Sequence, residues 1–326
     1  MTRLCLPWPR AWQQALYGPH GFYRRRDGPA GHFSTSVAGI PHAGAVMARA
    51  LAALATRLGR TTVVDLGAGR GELIAHLARA APHLRAVGVD VVAAPPDLPA
   101  SVQWWVSPGG EDLPPELDGL TGALVVAHEW LDVVPTTVAR RDLFGVWRAG
   151  HVNVSTGEES WPHPVREEER AWLEAWADAD TEIAEVGLAR ERALAALRRS
   201  VRDCSVLVVD YGHHQGERPP QGTLVGYRDG GMLPAVPNGS MDLTAHVAID
   251  ALVASCGEGG VRWARQREML PDLLDPPPLD AELARPQPAA YLQQVAEQAA
   301  WGELCRRGGL GDFWWVLTEP PARLAR

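Results

Sequence analysis

Short apolar runs alternate with amphipathic stretches along the chain. Five of these runs are predicted strands at 62–66, 85–90, 101–106, 122–127 and 205–209, and the run at 122–127 is continuously apolar. Continuous apolar runs of this length are typical of strands buried on both faces of a parallel sheet. Helix periodicity is found between them, over 42–58 and from Leu73 onwards. The alternation predicts an α/β fold with a doubly wound sheet.

The second half of the chain carries the same pattern with longer connections. Helices are predicted over 166–200, from residue 241, and over 279–306 after three prolines, and strands over 222–227 and 311–317. Short strands, forming a hairpin, are predicted within 138–165. The charged residues at 167–170 and 190–192 predict a solvated helix face. The Gly/Pro-rich residues 213–222 predict a mobile flap.

A glycine-rich turn follows the first of the five runs. Asp65 lies near the end of the run, and Gly67, Gly69 and Gly71 follow before a helix begins. Glycine allows a positive φ and leaves no Cβ in the way of a ligand. The start of the helix offers free N–H groups and a partial positive charge to a carboxylate or a phosphate. The stretch therefore predicts a ligand-binding loop.

Two acids bear on which ligand this loop binds. Asp65 would repel a pyrophosphate and attract an ammonium or sulfonium group. Asp90 ends the next strand, near the spacing of about 20 residues that suits an acid bound to ribose hydroxyls. S-adenosylmethionine (SAM) carries both cations and a carboxylate, and so it fits these features. The alternative is a nucleotide-dependent oxidoreductase with an unusual loop, since its fingerprint is G-x-G-x-x-G rather than G-x-G-x-G.

Polar residues also follow the later strands, at the sheet edge where doubly wound folds bind their ligands. Glu129 and Asp132 follow the run at 122–127, and Asp210 and Tyr211 follow the run at 205–209. His246 lies beyond an Asn-Gly turn. These five residues are the candidate catalytic groups.

The composition excludes several classes of function. All 31 basic residues among the 326 are arginine, so a lysine Schiff base or a P-loop mechanism is excluded. The formal net charge of −8 argues against broad nucleic-acid binding. The four cysteines lie far apart without a C-x-x-C motif, which fits a reducing compartment and gives no metal signature. Because no run of about 20 apolar residues occurs, we expect a cytoplasmic protein without stable membrane insertion.

Seven motifs spread over nearly the whole chain carry a family resemblance. They are Y-G-P-H-G-F-Y (17–23), G-H-F-S-T (31–35), D-L-G-A-G-R-G (65–71), H-E-W-L-D-V-V-P (128–135), V-D-Y-G (209–212), G-T-L-V-G-Y (222–227) and D-L-T-A-H-V (242–247). In these motifs the chain resembles the MidA-type SAM-dependent methyltransferases, the family of the mitochondrial complex I assembly arginine methyltransferase.

The resemblance implies a Rossmann-like sheet of the class I SAM-dependent methyltransferases, with an N-terminal arm and helical insertions. The arm or lid is expected over residues 1–41 and the Rossmann-like domain over 42–326. Within this domain we expect a helical and loop insertion at about 136–200 and a substrate-side region at about 213–306.

The resemblance also implies methyl transfer from SAM to a protein arginine, with a subunit of respiratory complex I as the partner. A guanidinium stays protonated and is a poor nucleophile, so carboxylates must orient it. Glu129 and Asp132 are expected in this role, with Asp210 and Tyr211 as neighbours. His246 is a candidate acceptor for the departing proton. Glu129 and Thr35, a hydroxyl of the lid, are expected at the cofactor.

Two departures from the family pattern lie near the expected site. The chain has His32 and His128 where the family usually has aspartate and asparagine. Either histidine could take up the departing proton. The same departures favour an alternative function, that of a non-catalytic, SAM-binding assembly factor.

Overall fold

The computed structural model describes residues 5–25, 39–257 and 260–320. The helices are α1 (Trp8–Tyr17), α2 (Ala43–Arg57), α3 (Glu72–Ala80), α4 (Glu167–Trp176), α5 (Leu188–Ser200), α6 (Ile249–Ser255), α7 (Gln266–Leu273) and α8 (Pro288–Leu304). The strands are β1 (Cys5–Pro7), β2 (Thr62–Leu66), β3 (Arg85–Asp90), β4 (Val102–Val106), β5 (Ala123–His128), β6 (Val138–Arg141), β7 (Trp147–Asn153), β8 (Glu159–Pro164), β9 (Ile183–Glu185), β10 (Ser205–Asp210), β11 (Gly212–His213), β12 (Val225–Arg228), β13 (Gly231–Leu233), β14 (Asp242–Thr244), β15 (Val247–Ala248), β16 (Val261–Arg265) and β17 (Trp314–Thr318).

A seven-stranded sheet forms the centre of the molecule, in the order β16-β17-β10-β5-β2-β3-β4. The five strands from β10 to β4 are parallel, and β17 runs antiparallel to both β10 and β16. The order reverses at β2, where β3 and β5 lie on opposite sides of it. This doubly wound arrangement confirms the predicted fold class, and ligands bind such sheets at the reversal point.

Both faces of this sheet are covered by helices, because neighbouring residues of each strand point to opposite faces. Val63 belongs to the core beneath α2, α3, α7 and α8. Its neighbour Val64 belongs to the core beneath α5 and α6. Burial on both faces accounts for the apolar runs of β2, β5 and β10, whereas β4, at the edge of the sheet, is only partly buried.

The N-terminal segment packs against a second sheet that follows the central strands β2 to β5. β1 pairs with β7, and α1 buries Trp8, Trp12 and Leu16. β7 also pairs with β6 and β8, and β6 pairs with β9. This sheet includes the hairpin predicted within residues 138–165.

The prediction of a helix from residue 241 was wrong. The residues from 241 onwards do not begin a helix: β14 and β15 come first, and α6 begins only at Ile249. Pairing of β14 with β12 and of β15 with β11 outweighs the local helix pattern.

None of the helices in the described ranges is long and apolar enough to cross a membrane.

The loop over residues 213–222, which was predicted to be a mobile flap, makes polar contacts with its neighbours. Arg218 donates to Asp250 at 2.5 Å and to the backbone carbonyl of Trp176 at 2.6 Å. The backbone N–H of Gly216 donates to Asp178 at 3.0 Å. These contacts hold the loop against α4 and α6.

A substitution at Gly88 tests the packing of β3 against β4. A Cβ at this position would lie 2.4 Å from the ring of Trp104, which donates to the carbonyl of Val92 and so cannot move freely. We expect Gly88→Ala to lower the free energy of unfolding by about 1–3 kcal/mol. Urea unfolding followed by circular dichroism measures it.

Gly302 offers the matched control for this substitution. It lies in α8, and a Cβ there would meet open space. Gly302→Ala should therefore leave stability unchanged or raise it by about 0.5–1 kcal/mol. Equal unfolding midpoints for the two variants would contradict the packing described for Gly88.

Candidate functional site

A cleft of about 910 Å³ opens at the carboxyl ends of β2, β3 and β5, where the strand order reverses. It is lined by the glycine loop, by the residues that follow β3 and β5, and by part of the N-terminal segment. The parallel pairing of these three strands brings their ends together. The fold therefore assembles the cleft from chain segments that are far apart in sequence.

The glycine loop takes the backbone shape that the sequence predicts. Gly67, Gly69 and Gly71 have φ values of 81°, 58° and 75°. Added Cβ atoms at Gly67 and Gly69 would meet no heavy atom closer than 3.8 Å, so the loop backbone is accessible from the cleft. Gly71 forms the N-cap of α3, whose first N–H groups have no carbonyl partner within the helix.

Asp65 and Asp90 flank this loop. Asp65 is 3% exposed, and burial, with the nearby charges of Asp90 and Glu72, raises its pKa to about 7. The Asp90 carboxylate accepts from the N–H of Gly69 at 2.8 Å and of Val91 at 2.7 Å. Burial raises the Asp90 pKa to about 6, although these hydrogen bonds oppose the change. Two such acids favour a cationic ligand that also carries hydroxyl groups.

The end of β5 and the loop that follows it present two titratable side chains to the cleft. Glu129 adopts a left-handed backbone with a φ of 51°, which is uncommon outside glycine and occurs often at functional sites. The His128 Nδ1 lies 3.4 Å from the Glu129 Oε1. Burial lowers the pKa of His128 to about 4, so its imidazole is neutral at physiological pH.

Asp132 joins the cleft to a buried polar network. Its Oδ2 accepts from Tyr211 Oη at 2.5 Å and from Thr244 Oγ1 at 2.8 Å, while its Oδ1 has no hydrogen-bond partner among the described residues. Burial, followed by the charge of Glu129, raises the Asp132 pKa to about 6. A buried oxygen without a partner in a ligand-sized cleft is suited to accept from a bound N–H group.

Asp210 lies behind this loop and not among the residues that line the cleft. Its carboxylate accepts from the backbone N–H groups of Leu131 at 3.0 Å, Asp132 at 3.2 Å and Tyr211 at 3.0 Å. Burial, then the charges of Asp132 and Glu129, raises its pKa well above the ordinary value. In this position Asp210 shapes the loop that carries Glu129 and Asp132.

The predicted site residues therefore separate into two layers. Asp65, the three glycines, Asp90, Glu129 and Asp132 line the cleft. Tyr211 and His246 lie in the next layer, with their rings in edge contact at 5.1 Å. Thr35 and His32 lie outside the described residues.

Three residues that the sequence analysis did not select belong to these layers. Tyr23 and Asp242 line the cleft, and the Tyr23 hydroxyl donates to Asp242 at 2.7 Å. Burial raises the pKa of Asp242 to about 8, and Asp132 and Glu129 contribute to the rise. Both residues fall within motifs of the family resemblance, at 17–23 and 242–247, and that was the available signal.

The third is Arg190, which the charge pattern assigned wrongly to a solvated helix face. It is 2% exposed and donates to the backbone carbonyls of Asp132 and His246. Helix periodicity could have revealed this, because Arg190 shares the buried stripe of Ala193, Leu194 and Leu197. Arg192, two residues further on, is exposed, as the charge pattern predicted, and it pairs with Glu168.

Comparisons with known proteins agree with this geometry. Residues 44–265 match the family model described as "Putative S-adenosyl-L-methionine-dependent methyltransferase". A search of curated proteins finds no significant match. The family match confirms the resemblance drawn from the motifs.

Two solved structures from Burkholderia thailandensis share the fold. One is described as a "likely methyl transferase" bound to S-adenosyl-homocysteine; it is 22% identical with a TM-score of 0.73, over 97% of this chain and 88% of that chain. The other is a native structure of an uncharacterised protein of the same superfamily, also 22% identical with a TM-score of 0.73, over 98% and 90% of the two chains. At this identity the likeness confirms the Rossmann-like fold.

Replacement of Asp210 tests whether it supports the loop that carries the cleft acids. Asp210→Ala would leave buried N–H groups of Leu131, Asp132 and Tyr211 without acceptors, at about 1–3 kcal/mol for each unsatisfied group. We expect a loss of at least ~2 kcal/mol in the free energy of unfolding, measured by urea denaturation. Glu116→Ala, at an exposed acid, is the control. A stable Asp210→Ala variant would show that the loop keeps its shape without this carboxylate.

Proposed function

The chain belongs to the family of S-adenosyl-L-methionine-dependent methyltransferases, and on this basis we propose that it transfers the methyl group of SAM to an arginine side chain of a protein. The observation that carries the proposal is the set of three carboxyl groups, of Glu129, Asp132 and Asp242, in the cleft that also holds the glycine loop. A guanidinium offers five N–H donors and a fixed positive charge to such a set.

The glycine-loop side of the cleft fits SAM. We propose that Asp65 faces its cationic groups and Asp90 its ribose hydroxyls, while the first N–H groups of α3 receive its carboxylate. Asp90 already accepts two backbone N–H bonds, but a carboxylate has about four lone-pair sites and can accept hydroxyls as well. Glu129 and the lid hydroxyl Thr35 complete the set of residues proposed to contact the cofactor.

When bound, SAM supplies a methyl group made electrophilic by its sulfonium. The protein must then hold a guanidino nitrogen in line with that methyl and exclude water. Glu129 and Asp132 accept N–H bonds from the guanidinium, and one acceptor is the Oδ1 of Asp132, which has no hydrogen-bond partner within the described part of the chain. Tyr211 and Thr244 fix the other oxygen of Asp132, so that this carboxylate keeps one orientation.

Methyl transfer forms a carbon–nitrogen bond, breaks the carbon–sulfur bond and leaves the new methylguanidinium with one proton to lose. His128 has a neutral imidazole in the cleft beside Glu129, and it is the nearest group proposed to receive this proton. His246 lies behind Tyr211 and could take part only through that layer. The first acceptor to test is a core subunit of respiratory complex I, which the family resemblance names.

The binding of SAM should depend on the ionisation of Asp65. Because its pKa is raised to about 7, the carboxylate that attracts the ligand's cations is lost as pH falls through that value. We expect calorimetry to show SAM affinity rising with pH through about 7, and Asp65→Asn to weaken binding by roughly 10- to 100-fold and flatten the profile.

Gly69→Val is the control that removes the site itself, since a β-branched residue is strained at a positive φ. It should abolish binding at every pH. Parent-like affinity and pH dependence in Asp65→Asn would exclude Asp65 from the cofactor site.

The arginine acceptor is tested by methyl transfer from labelled SAM. Glu129→Gln should lower the turnover of an arginine substrate by about 100-fold or more while the protein still binds SAM, because the amide retains the shape of the carboxylate and loses its charge. Glu116→Gln, an exposed site, should retain full activity. Full turnover by Glu129→Gln would remove Glu129 from this role.

One further outcome separates the proposed enzyme from the assembly factor. A parent protein that binds SAM but methylates no arginine would support a non-catalytic SAM-binding role. The histidine at position 128 would then mark the loss of activity.

A further inference from the structure

A buried guanidinium lies beneath the acids of the cleft and does not line it. Arg190 on α5 donates from Nη2 to the backbone carbonyl of Asp132 at 3.0 Å and from Nη1 to that of His246 at 2.5 Å. Its Nε has no partner among the residues that the structure describes. One side chain therefore joins the loop after β5 to the segment between β14 and β15.

The charge of Arg190 acts on the neighbouring carboxyl groups. It lowers the pKa of Asp132 and of Asp210, in opposition to the desolvation that raises both. In return, Glu185, Asp210 and Asp132 favour the charged form of Arg190 against the desolvation of its own burial. A buried cation that lacked such partners would cost several kcal/mol. The arrangement places one positive charge where several acids would otherwise repel one another.

We propose that Arg190 is a positioning residue, which keeps the Asp132 carboxylate ionised and in place for a cationic acceptor. The two Nη groups of its guanidinium hold the backbone of Asp132 and His246 in place. Its positive charge favours the ionised form of the Asp132 side chain, which can accept hydrogen bonds. The identity of the acceptor rests on the proposed function, whereas the charge of Asp132 can be measured without any acceptor.

Other groups also set the ionisation of Asp132, and the experiment must separate them from Arg190. The groups that face it are His128 at the end of β5, Glu129 in the following loop, Asp210 at the end of β10, Tyr211 after it, Asp242 and Thr244 on β14, Tyr227 on β12, and Tyr17 and Tyr23. Substitutions at Arg190 leave all of these residues unchanged. A change in the titration of Asp132 then reports the loss of the Arg190 charge, which acts on Asp132 directly and also through Asp210, whose pKa it lowers.

The experiment is a carbon-13 NMR titration of aspartate carboxyl groups in the full-length protein, with Asp132→Asn used to assign the Asp132 signal. Three variants are compared with the parent. Arg190→Gln keeps an N–H donor and loses the charge, while Arg190→Lys keeps the charge and loses the fork. Arg192→Gln, two residues along the same helix, removes an exposed guanidinium that pairs with Glu168.

The parent should titrate Asp132 near pH 6. In Arg190→Gln the titration should move to higher pH, because the cation that favours the carboxylate is gone. In Arg190→Lys and in Arg192→Gln it should stay near the parent value. An unchanged titration in Arg190→Gln would overturn the proposal. A shift of the Asp132 titration to higher pH in Arg190→Lys would also overturn it, and this test against the parent holds even if the glutamine variant does not fold.

A second readout uses Nα-acetyl-arginine amide as a probe in the presence of S-adenosyl-homocysteine. Its affinity for Arg190→Gln should fall several-fold at neutral pH and recover at higher pH, whereas a purely structural defect would weaken binding equally at all pH values. Failure of the parent to bind the probe would count against the arginine acceptor. The NMR titration would still decide the role of Arg190.

Discussion

The parallel pairing of β2 with β5 and of β5 with β10 is the constraint on which the site depends. It sets Leu66 beside Ala127 and His128 beside Val209, so that the three strands end at one edge of the sheet. Each strand is buried on both faces and can lie only in this layer. This pairing brings together the glycine loop, the acids after β5 and the acid that ends β10. No local sequence signal is needed to bring these segments into contact.

This convergence gathers several carboxyl groups in one buried region, where their charges act on one another. Burial raises the pKa of Asp65, Asp132 and Asp242, and the charges of neighbouring acids add to the rise. Hydrogen-bond donors behind the cleft offset part of the free-energy cost of burying these carboxylates. Asp210 accepts three backbone N–H groups, and Asp132 accepts two hydroxyls. The remaining cost of burying negative charge makes the cleft complementary to a cation, because a bound positive charge would stabilise the ionised acids.

The sequence predicted best where local pattern and tertiary environment agree. The strands of the central sheet could be predicted because burial on both faces selects β-branched residues, and the glycine loop because its backbone requires positive φ at Gly67, Gly69 and Gly71. Prediction failed where pairing overrides the local pattern, as it does at β14 and β15. The sequence also did not show which acids reach the cleft. Asp132 and Asp210 both lie near strand ends, but Asp132 lines the cleft and Asp210 supports the loop behind it, and this difference depends on the folded shape of the loop.

Arg190 is a further case in which the local charge pattern did not predict the environment of a residue. Its sequence neighbours, Glu191 and Arg192, suggest a solvated face, but its place on the stripe of Leu194 and Leu197 turns it inward. An arginine in that stripe is costly unless acids and carbonyls lie at the end of its side chain. The loops after β5 and β14 provide both. Helix α5 does not line the cleft, but its arginine buries a positive charge behind the loop that carries Asp132. Because the neighbouring acids favour a positive charge at this place, α5 contributes to the electrostatics of the cleft.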